Sequence, residues 1–133
     1  MSEIIVDTLT GKTTAGDITV TSEGGAATMQ LQQGLAKTWV NFNGTGTIAI
    51  RDSFSVSGLV DNGTGTYGVN FSSSFSNGDY SATSTIGGGG AINIPYDDYT
   101  QTAGSYTIGI RRTDTASFFD ASRIHYSMNG DLA

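Results

Sequence analysis

The sequence predicts an all-β protein, an antiparallel β-sandwich head preceded by a short N-terminal attachment segment of β and helical character. Apolar and polar residues alternate over short runs such as 53–57 and 67–71, which is the period of a strand with one buried face. Clusters of Gly, Asn and Asp separate these runs about every ten residues. Thr, Val, Ile and Tyr are frequent and proline occurs once, as expected for strands joined by tight turns.

Composition argues against several classes of protein. The 133 residues are enough for one domain with a small appendage. A net charge of −6 argues against nucleic-acid binding, which needs a basic surface facing phosphate. Cysteine is absent, so disulfides and thiolate metal sites are excluded. No apolar run has transmembrane length and the first residues lack the features of a signal peptide, so no membrane insertion is expected.

Seven strands are predicted in residues 37–133, the predicted head domain. They lie near 37–43, 47–57, 66–73, 80–86, 91–95, 105–112 and 122–129. Alternation within these runs predicts one buried face for each strand. The residues expected to be largely buried are Trp39, Phe42, Ile48, Ile50, Phe54, Val56, Tyr67, Val69, Phe71, Ile108, Ile110, Ile124 and Tyr126.

The word NGTGT occurs twice, at 43–47 and 62–66. A phosphate-binding loop would lead into a helix, preferably with a lysine, and neither copy does so. The flanking sequences differ too much for a duplicated unit. Asn-Gly tolerates the positive φ of tight hairpin turns, and the second glycine permits an adjoining bulge. Both copies are therefore interpreted as turns between strands.

Residues 1–36 form a separate predicted segment. Two short strands, IIVDTL and DITVTS, precede a joint at EGGAA, and Ala27, Leu31, Leu35 and Trp39 recur at steps of four. This spacing predicts a short helix over 27–39, weakened by Gly34. A thin hairpin and a thin helix are not stable alone in water. We therefore expect the segment to pair with copies of itself or to dock on another protein, the alternative being a flexible leader.

Residues 31–80 combine a Lys-x-Trp-Val-x-Phe start, an Asn-Gly-Thr-Gly turn, an Arg-Asp-Ser-Phe-x-Val-Ser strand, a second Asn-Gly-Thr-Gly turn and a Tyr-x-Val-x-Phe strand. The residues that form these motifs are Lys37, Trp39, Val40, Phe42, Asn43–Gly46, Arg51–Phe54, Val56, Ser57, Asn62–Gly65, Tyr67, Val69 and Phe71. In this combination the segment resembles tail-fibre and related virion proteins of tailed bacteriophages, particularly of the marine and cyanobacterial type.

This resemblance implies a virion component of the tail or of a tail-associated appendage. The implied protein is a homotrimer, anchored through residues 1–36 to another tail or baseplate protein, and its head loops contact a host cell-surface glycan or protein. The alternative is a purely structural virion protein of the collar, baseplate or capsid decoration that binds only other virion proteins.

No residue pattern in the sequence indicates catalysis, a cofactor or a metal. The only histidine, His125, has no sequence signal for a Ser-His-Asp arrangement and is expected to be a solvated strand residue. Carboxylates in YDDY, and more loosely Asp114 and Asp120, could serve glycoside hydrolysis, but neighbouring strand residues point to opposite faces. A binding or structural role is therefore predicted, not an enzyme.

Two loops combine aromatic faces with hydrogen-bonding groups, as a sugar-binding surface requires. The first lies between two predicted strands, and the second carries two adjacent phenylalanines that cannot both point inward. The candidate ligand or receptor contacts are Tyr96, Asp97, Asp98, Tyr99, Phe118 and Phe119.

Arg51-Asp52 interrupts an apolar face and places Asp52 in phase with Ile50 and Phe54. A buried carboxylate must be paired or hydrogen-bonded. Two alternatives follow: the pair marks a bulge or a strand end, or Asp52 forms a salt bridge across a subunit interface with Arg51, Arg111 or Arg112.

Overall fold

The computed structural model describes residues 3–88, 93–96 and 100–133, with residues 93–96 described by their backbone. Within this part of the chain every regular element is a strand, which confirms the predicted all-β class. The chain divides into two compact units, Met1–Leu35 and Ala36–Ala133, here called the N-terminal unit and the head. The division falls one residue from the predicted boundary.

The described part of the N-terminal unit contains one short hairpin. Strand β1 (Thr19–Thr21) pairs antiparallel with β2 (Thr28–Gln30). The predicted helix over 27–39 is wrong, because residues 28–30 pair with β1 and residues 31–35 form a turn. The predicted strand at IIVDTL is also wrong, since residues 4–9 lie in no strand. A helix of two or three turns with an internal glycine is marginal, and a local hairpin replaces it.

The head contains eight described strands. They are β3 (Thr38–Asn43), β4 (Ala49–Phe54), β5 (Val56–Asp61), β6 (Thr66–Phe71), β7 (Ser81–Gly87), β8 (Asn93–Tyr96), β9 (Ser105–Arg112) and β10 (Arg123–Asn129). The first sheet has the order β4-β3-β10-β7, and the second has the order β5-β6-β9-β8. All neighbouring strands are antiparallel, and the two sheets pack into a sandwich.

The core lies between the inner faces of the two sheets. Phe42 of the first sheet meets Tyr67 of the second edge to face, with ring centroids 5.3 Å apart, and Tyr106 and Tyr126 make a similar contact at 5.9 Å. Such aromatic pairs add to the stabilisation from burial alone. The buried apolar residues are Val40, Phe42, Tyr67, Val69, Phe71, Phe75, Tyr80, Tyr106, Ile108, Ile110, Ala121, Ile124, Tyr126 and Met128.

Five of the residues predicted to be buried are not. Ile48 and Val56 are half-buried at the edge of the core, and Trp39 is half-buried on the other face of β3. Ile50 and Phe54 are exposed on β4. Phe54 is paired with Trp39 on the face of the sheet that points away from the core. Ile50 is paired with the buried Phe42, but β4 is the edge strand of the sheet, and an edge strand has a neighbour on one side only.

The predicted strand over 47–57 is two strands in different sheets. β4 ends at Phe54 in the first sheet and β5 begins at Val56 in the second. Ser55 between them has a φ of 57°, a left-handed conformation that is costly for a residue with a side chain. The chain turns the corner of the sandwich there, which the alternating pattern SFSVS does not reveal.

A β-bulge interrupts the pairing of β3 with β4. Asn41 pairs with Asp52 and Phe42 pairs with Ile50, so Arg51 is the extra residue. The Arg51 guanidinium donates hydrogen bonds to the carbonyl oxygens of Phe42, at 3.0 Å, and Ser122, at 2.6 Å. Asp52 is exposed. The bulge alternative for Arg51-Asp52 is therefore confirmed.

The two NGTGT words are turns, as interpreted. The first joins β3 to β4, and its Asn43 Oδ1 accepts hydrogen bonds from the backbone N and the hydroxyl of Thr45. The second joins β5 to β6 through a backbone hydrogen bond from Asn62 N to Thr66 O. In both copies the second glycine, Gly46 or Gly65, has a φ near 65°, a conformation that favours glycine.

Candidate functional site

The first predicted contact loop lies mostly outside the described residues. Tyr96 ends β8, where its backbone pairs with Gly109. Its side chain, and the whole of Asp97, Asp98 and Tyr99, fall outside the described part of the chain. The contact role of these four residues therefore stays a prediction.

The second predicted contact loop is a hairpin that follows β9. Arg112 N donates to Ser117 O, and Phe118 forms a bridge to Arg111. Phe118 is 37% exposed, and the guanidinium carbon of Arg111 lies 4.3 Å from the centre of its ring. Phe119 instead packs against the core. The two phenylalanines thus point in different directions, as expected, and Phe118 is the one that the surface presents.

Arg112 forms an ion pair with Asp114 at the start of this hairpin. Its guanidinium donates to both carboxylate oxygens of Asp114, at 3.2 and 3.3 Å. Hydrogen bonding from Arg112 lowers the pKa of Asp114 from its ordinary value. The group is fully solvated, so the ion pair contributes little to stability. Asp114 is therefore ionised and already engaged, which argues against its use as a general acid.

Asp120 belongs to a hydrogen-bonded cluster at the turns. Its Oδ1 accepts from the Tyr67 hydroxyl at 2.8 Å and from the backbone N of Gly65 at 2.7 Å. The Tyr67 hydroxyl also lies 2.8 Å from the carbonyl oxygen of Gly44. Burial, followed by the hydrogen bond to Asp120 and its charge, raises the pKa of Tyr67 above its ordinary value. This tyrosine is a neutral structural donor and not a phenolate nucleophile.

The outer face of the first sheet carries two aromatic side chains that the sequence analysis assigned to the core. Trp39 and Phe54 are directly opposite each other on β3 and β4. Thr38, Val40 and Phe42 occupy the buried face of β3, so Trp39 lies on the other face, and Phe54 is 55% exposed. Trp39 and Phe42 are three residues apart, and residues three apart lie on opposite faces of a strand. Their spacing could therefore have shown that they are not both in the core.

Two rows of side chains cross this outer face. Pairing places Asp52, Asn41, His125 and Thr85 in one row across the four strands, and Phe54, Trp39, Ser127 and Thr83 in the next. His125 is exposed, as expected for a solvated strand residue. A shallow hollow of about 150 Å³ lies over β7 and β10 beside these rows, lined by Thr83, Ser84, Thr85, His125, Tyr126 and Ser127.

The N-terminal unit exposes apolar side chains near its start. Ile4, Ile5, Val6 and Leu9 are all more than half exposed. Leu9 and Leu35 also line an open hollow of about 330 Å³, together with Ala15, Gly16, Ile18, Leu31 and Gln32. Exposed apolar surfaces of this kind are typical of interaction sites.

Among the described residues, no group of three or more His, Cys, Asp or Glu side chains is placed to hold a metal ion. The described part of the chain also contains no helix long and apolar enough to cross a membrane. Comparison of the chain with protein families, with characterised proteins and with solved structures finds no match.

Proposed function

We propose that this chain is a component of a bacteriophage tail, a trimeric fibre or receptor-binding protein that attaches through its N-terminal unit and contacts the host surface with its head. The observation that best supports the attachment role is the exposed apolar side chains of residues 4–9. The resemblance of residues 31–80 to tail-fibre proteins supplies the virion setting. The head packs a core of its own and is the part that we assign to host contact.

The apolar run supports docking because its exposure is costly. Ile4 and Ile5 are 85% and 83% exposed, and burying each such side chain contributes about 1.5–3 kcal/mol. Residues 4–9 also lie in no strand of the described structure, so their backbone groups are available to a partner. An extended segment of this kind can add a strand to the exposed edge of another sheet, with apolar side chains alternating into pockets.

Deleting residues 1–25 tests the attachment role. Particles assembled with the shortened chain should lack it after purification, as judged by immunoblotting, because the docking segment is gone. The purified shortened protein should keep the circular dichroism and the thermal transition of the head, since the head has its own core. Particles that retain the shortened chain at full copy number would contradict the proposal.

A matched pair of point variants separates apolar docking from a general effect of added charge. Ile5→Asp and Thr8→Asp place the same charge in the same exposed segment, but only the first removes a large apolar side chain. Ile5→Asp should reduce incorporation into particles strongly, while Thr8→Asp should leave it near the unmodified level. Equal losses from both variants would indicate that charge alone disturbs assembly and would count against apolar docking.

A further inference from the structure

We propose that the outer face of the first sheet binds a neutral, hydroxyl-rich saccharide that stacks on Trp39 and Phe54. The proposal deepens the suggested role in host contact and rests on it for the source of the saccharide, a cell surface. Binding itself requires no virion, so it is testable on the purified chain.

Trp39 and Phe54 form the apolar part of the proposed site. Trp39 and Phe54 pair directly across β3 and β4, so their Cβ atoms lie about 4.5–5.5 Å apart on one side of the sheet. Single exposed apolar residues are ordinary on a protein surface. Two large aromatics side by side on a flat sheet form a platform, and the apolar C–H face of a sugar ring packs on such a platform.

Polar side chains surround that platform. Trp39 and Phe54 share their row with Ser127 and Thr83, and the neighbouring row contains Asp52, Asn41, His125 and Thr85. The exposed side chains among them, Asp52, His125, Thr83 and Thr85, offer carboxylate, imidazole and hydroxyl groups, which together donate to and accept from sugar hydroxyls. The amide oxygen of Asn41 is buried and is not offered to a ligand. A few polar groups around an apolar surface are the usual composition of a small-ligand site.

The outer face is large enough for more than one sugar ring. Four strands spaced about 4.8 Å apart make it about 14 Å wide, and the two rows lie about 7 Å apart along the strands. The hollow over β7 and β10 includes Ser127, which is the neighbour of Trp39 in the aromatic row. This extent suits a short run of sugar rings lying across the strands, with one ring stacked at Trp39 and Phe54 and the next over Ser127 and Thr83 in the same row.

Charge favours a neutral saccharide over an anionic one. The rows carry the acidic Asp52, and the chain as a whole has a net charge of −6, which repels polyanions. The Arg51 guanidinium is directed at two backbone carbonyls instead of the face. Arg123 lies on the same face one step beyond His125, at the end opposite to the aromatic row.

The sole tryptophan of the sequence makes the test specific, because only Trp39 contributes tryptophan fluorescence. The full-length purified protein is titrated with dextran, laminarin, mannan and agarose-derived galactan, and with alginate as an anionic comparison. At least one neutral polysaccharide should change the Trp39 emission and retard the protein in affinity electrophoresis. Alginate should do neither.

Phe54→Ala should weaken this binding by on the order of tenfold or more. Val60→Ala is the matched control, because Val60 is also exposed, at 43%, but lies on the other sheet. Asp52→Ala is a second variant of the face. Thermal melting shows whether each variant is folded. If Phe54→Ala does not fold, saccharide binding by Asp52→Ala tests the proposal in its place.

Three results would overturn the proposal. The first is that no neutral polysaccharide binds. The second is that binding occurs without a change in Trp39 emission or is insensitive to both Phe54→Ala and Asp52→Ala, which places the site elsewhere. The third is that Phe54→Ala lowers the mass of the assembly, which makes the face a contact between copies of the chain. None of these results bears on attachment through residues 1–25, so the two proposals fail separately.

Discussion

The hydroxyl of Tyr67 lies 2.8 Å from Oδ1 of Asp120, although the two residues are 53 positions apart in the chain. The same Asp120 oxygen accepts from Gly65 N of the second NGTGT turn, and the Tyr67 hydroxyl contacts Gly44 O of the first turn. One tyrosine and one aspartate therefore join both repeated turns at the same end of the sandwich. The repeated word serves as two turns that meet around a shared hydrogen-bonded cluster.

Replacing Tyr67 by Phe should lower the free energy of unfolding by about 1–3 kcal/mol. The change removes the hydroxyl that faces Asp120 and Gly44 and leaves their oxygens without that donor. Urea denaturation followed by circular dichroism measures the effect. Tyr80→Phe is the matched control, because the Tyr80 hydroxyl has a neutral backbone acceptor, Ser105 O, and its loss should cost about 1 kcal/mol. Equal costs would show that Asp120 adds nothing to the cluster.

Gly65→Ala should destabilise the head more than Gly46→Ala, although the two glycines hold the same place in the repeated word and have φ values of 65° and 64°. Both changes incur left-handed backbone strain of about 1–2 kcal/mol. A Cβ at Gly65 would also lie 2.7 Å from Phe119 N and 2.8 Å from Ile110 O, whereas nothing lies within 4 Å at Gly46. Overpacking of this kind adds about 1–3 kcal/mol.

Chemical denaturation of both glycine variants gives the comparison directly. Because the backbone strain is common to the pair, the difference in unfolding free energy isolates the packing against Phe119 and Ile110. Equal losses would mean that the second turn moves aside to accept a methyl group.

Alkaline pH should destabilise the head through its buried tyrosines. Burial raises the pKa of Tyr80 to about 12, and burial together with Asp120 raises the pKa of Tyr67 above its ordinary value of 10.0. The neutral forms are favoured in the folded state, so this stabilisation is complete below about pH 10 and is lost as the pH rises towards 12 and beyond. The unfolding free energy should therefore fall between pH 10 and 12.

Urea titrations at about pH 9 and pH 11 measure this fall, with phenolate absorbance reporting ionisation. In Tyr80→Phe the fall should be smaller, because one of the two contributing groups is absent. An unchanged pH dependence in that variant would assign the effect to other groups.

Much of the head was predictable because its strands are regular and half-buried. The alternation in residues 66–71, 105–112 and 123–129 reports one buried face directly, and the structure places strands there within a few residues of the predicted bounds. The turns at 43–47 and 62–66, which join β3 to β4 and β5 to β6, carry their own residue signals. The sandwich therefore follows from local patterns that agree with one another.

The sequence-based predictions are wrong where the local residue pattern fits two structures and contacts elsewhere in the fold decide between them. The corner at Ser55 depends on a φ of 57° that no residue preference announces. Phe54 and Trp39 are aromatic residues of the kind that usually fill a core, but they pair with each other on the outer face of the sheet. The bulge at Arg51 breaks the alternation between Ile50 and Phe54, which the sequence does not show. The N-terminal hairpin prevails over a helix because residues 28–30 find a partner in β1, which periodicity within residues 27–39 does not show.

Full-length protein should be a homotrimer, with a mass near three times 13.8 kDa by static light scattering. The exposed apolar residues of the N-terminal unit supply surface for association, and threefold assembly is what the resemblance to tail fibres implies. A chain lacking residues 1–25 should be monomeric. A full-length monomer at micromolar concentration would contradict the prediction, and a trimeric shortened chain would place the contact in the head.

The head loops should contribute to host contact while remaining dispensable for assembly. Phe118 presents part of its ring at the surface, stacked beneath Arg111. Tyr96 is the last residue of β8 and directly precedes the acidic residues of the first predicted contact loop. Truncating central aromatic contacts commonly costs tenfold or more in affinity. Particles carrying Tyr96→Ala with Tyr99→Ala, or Phe118→Ala, should therefore adsorb to host cells on the order of tenfold more weakly, with unchanged copy number on the particle.

Adsorption kinetics on host cells separate the two surfaces of the head. Val60→Ala serves as the control, since it truncates an exposed apolar residue on the second sheet. Weak adsorption in Phe54→Ala alone would assign host contact to the outer face of the first sheet and not to the loops. Normal adsorption in every head variant, with the loops buried against another virion protein in a map of the particle, would replace the receptor-binding role by a purely structural one.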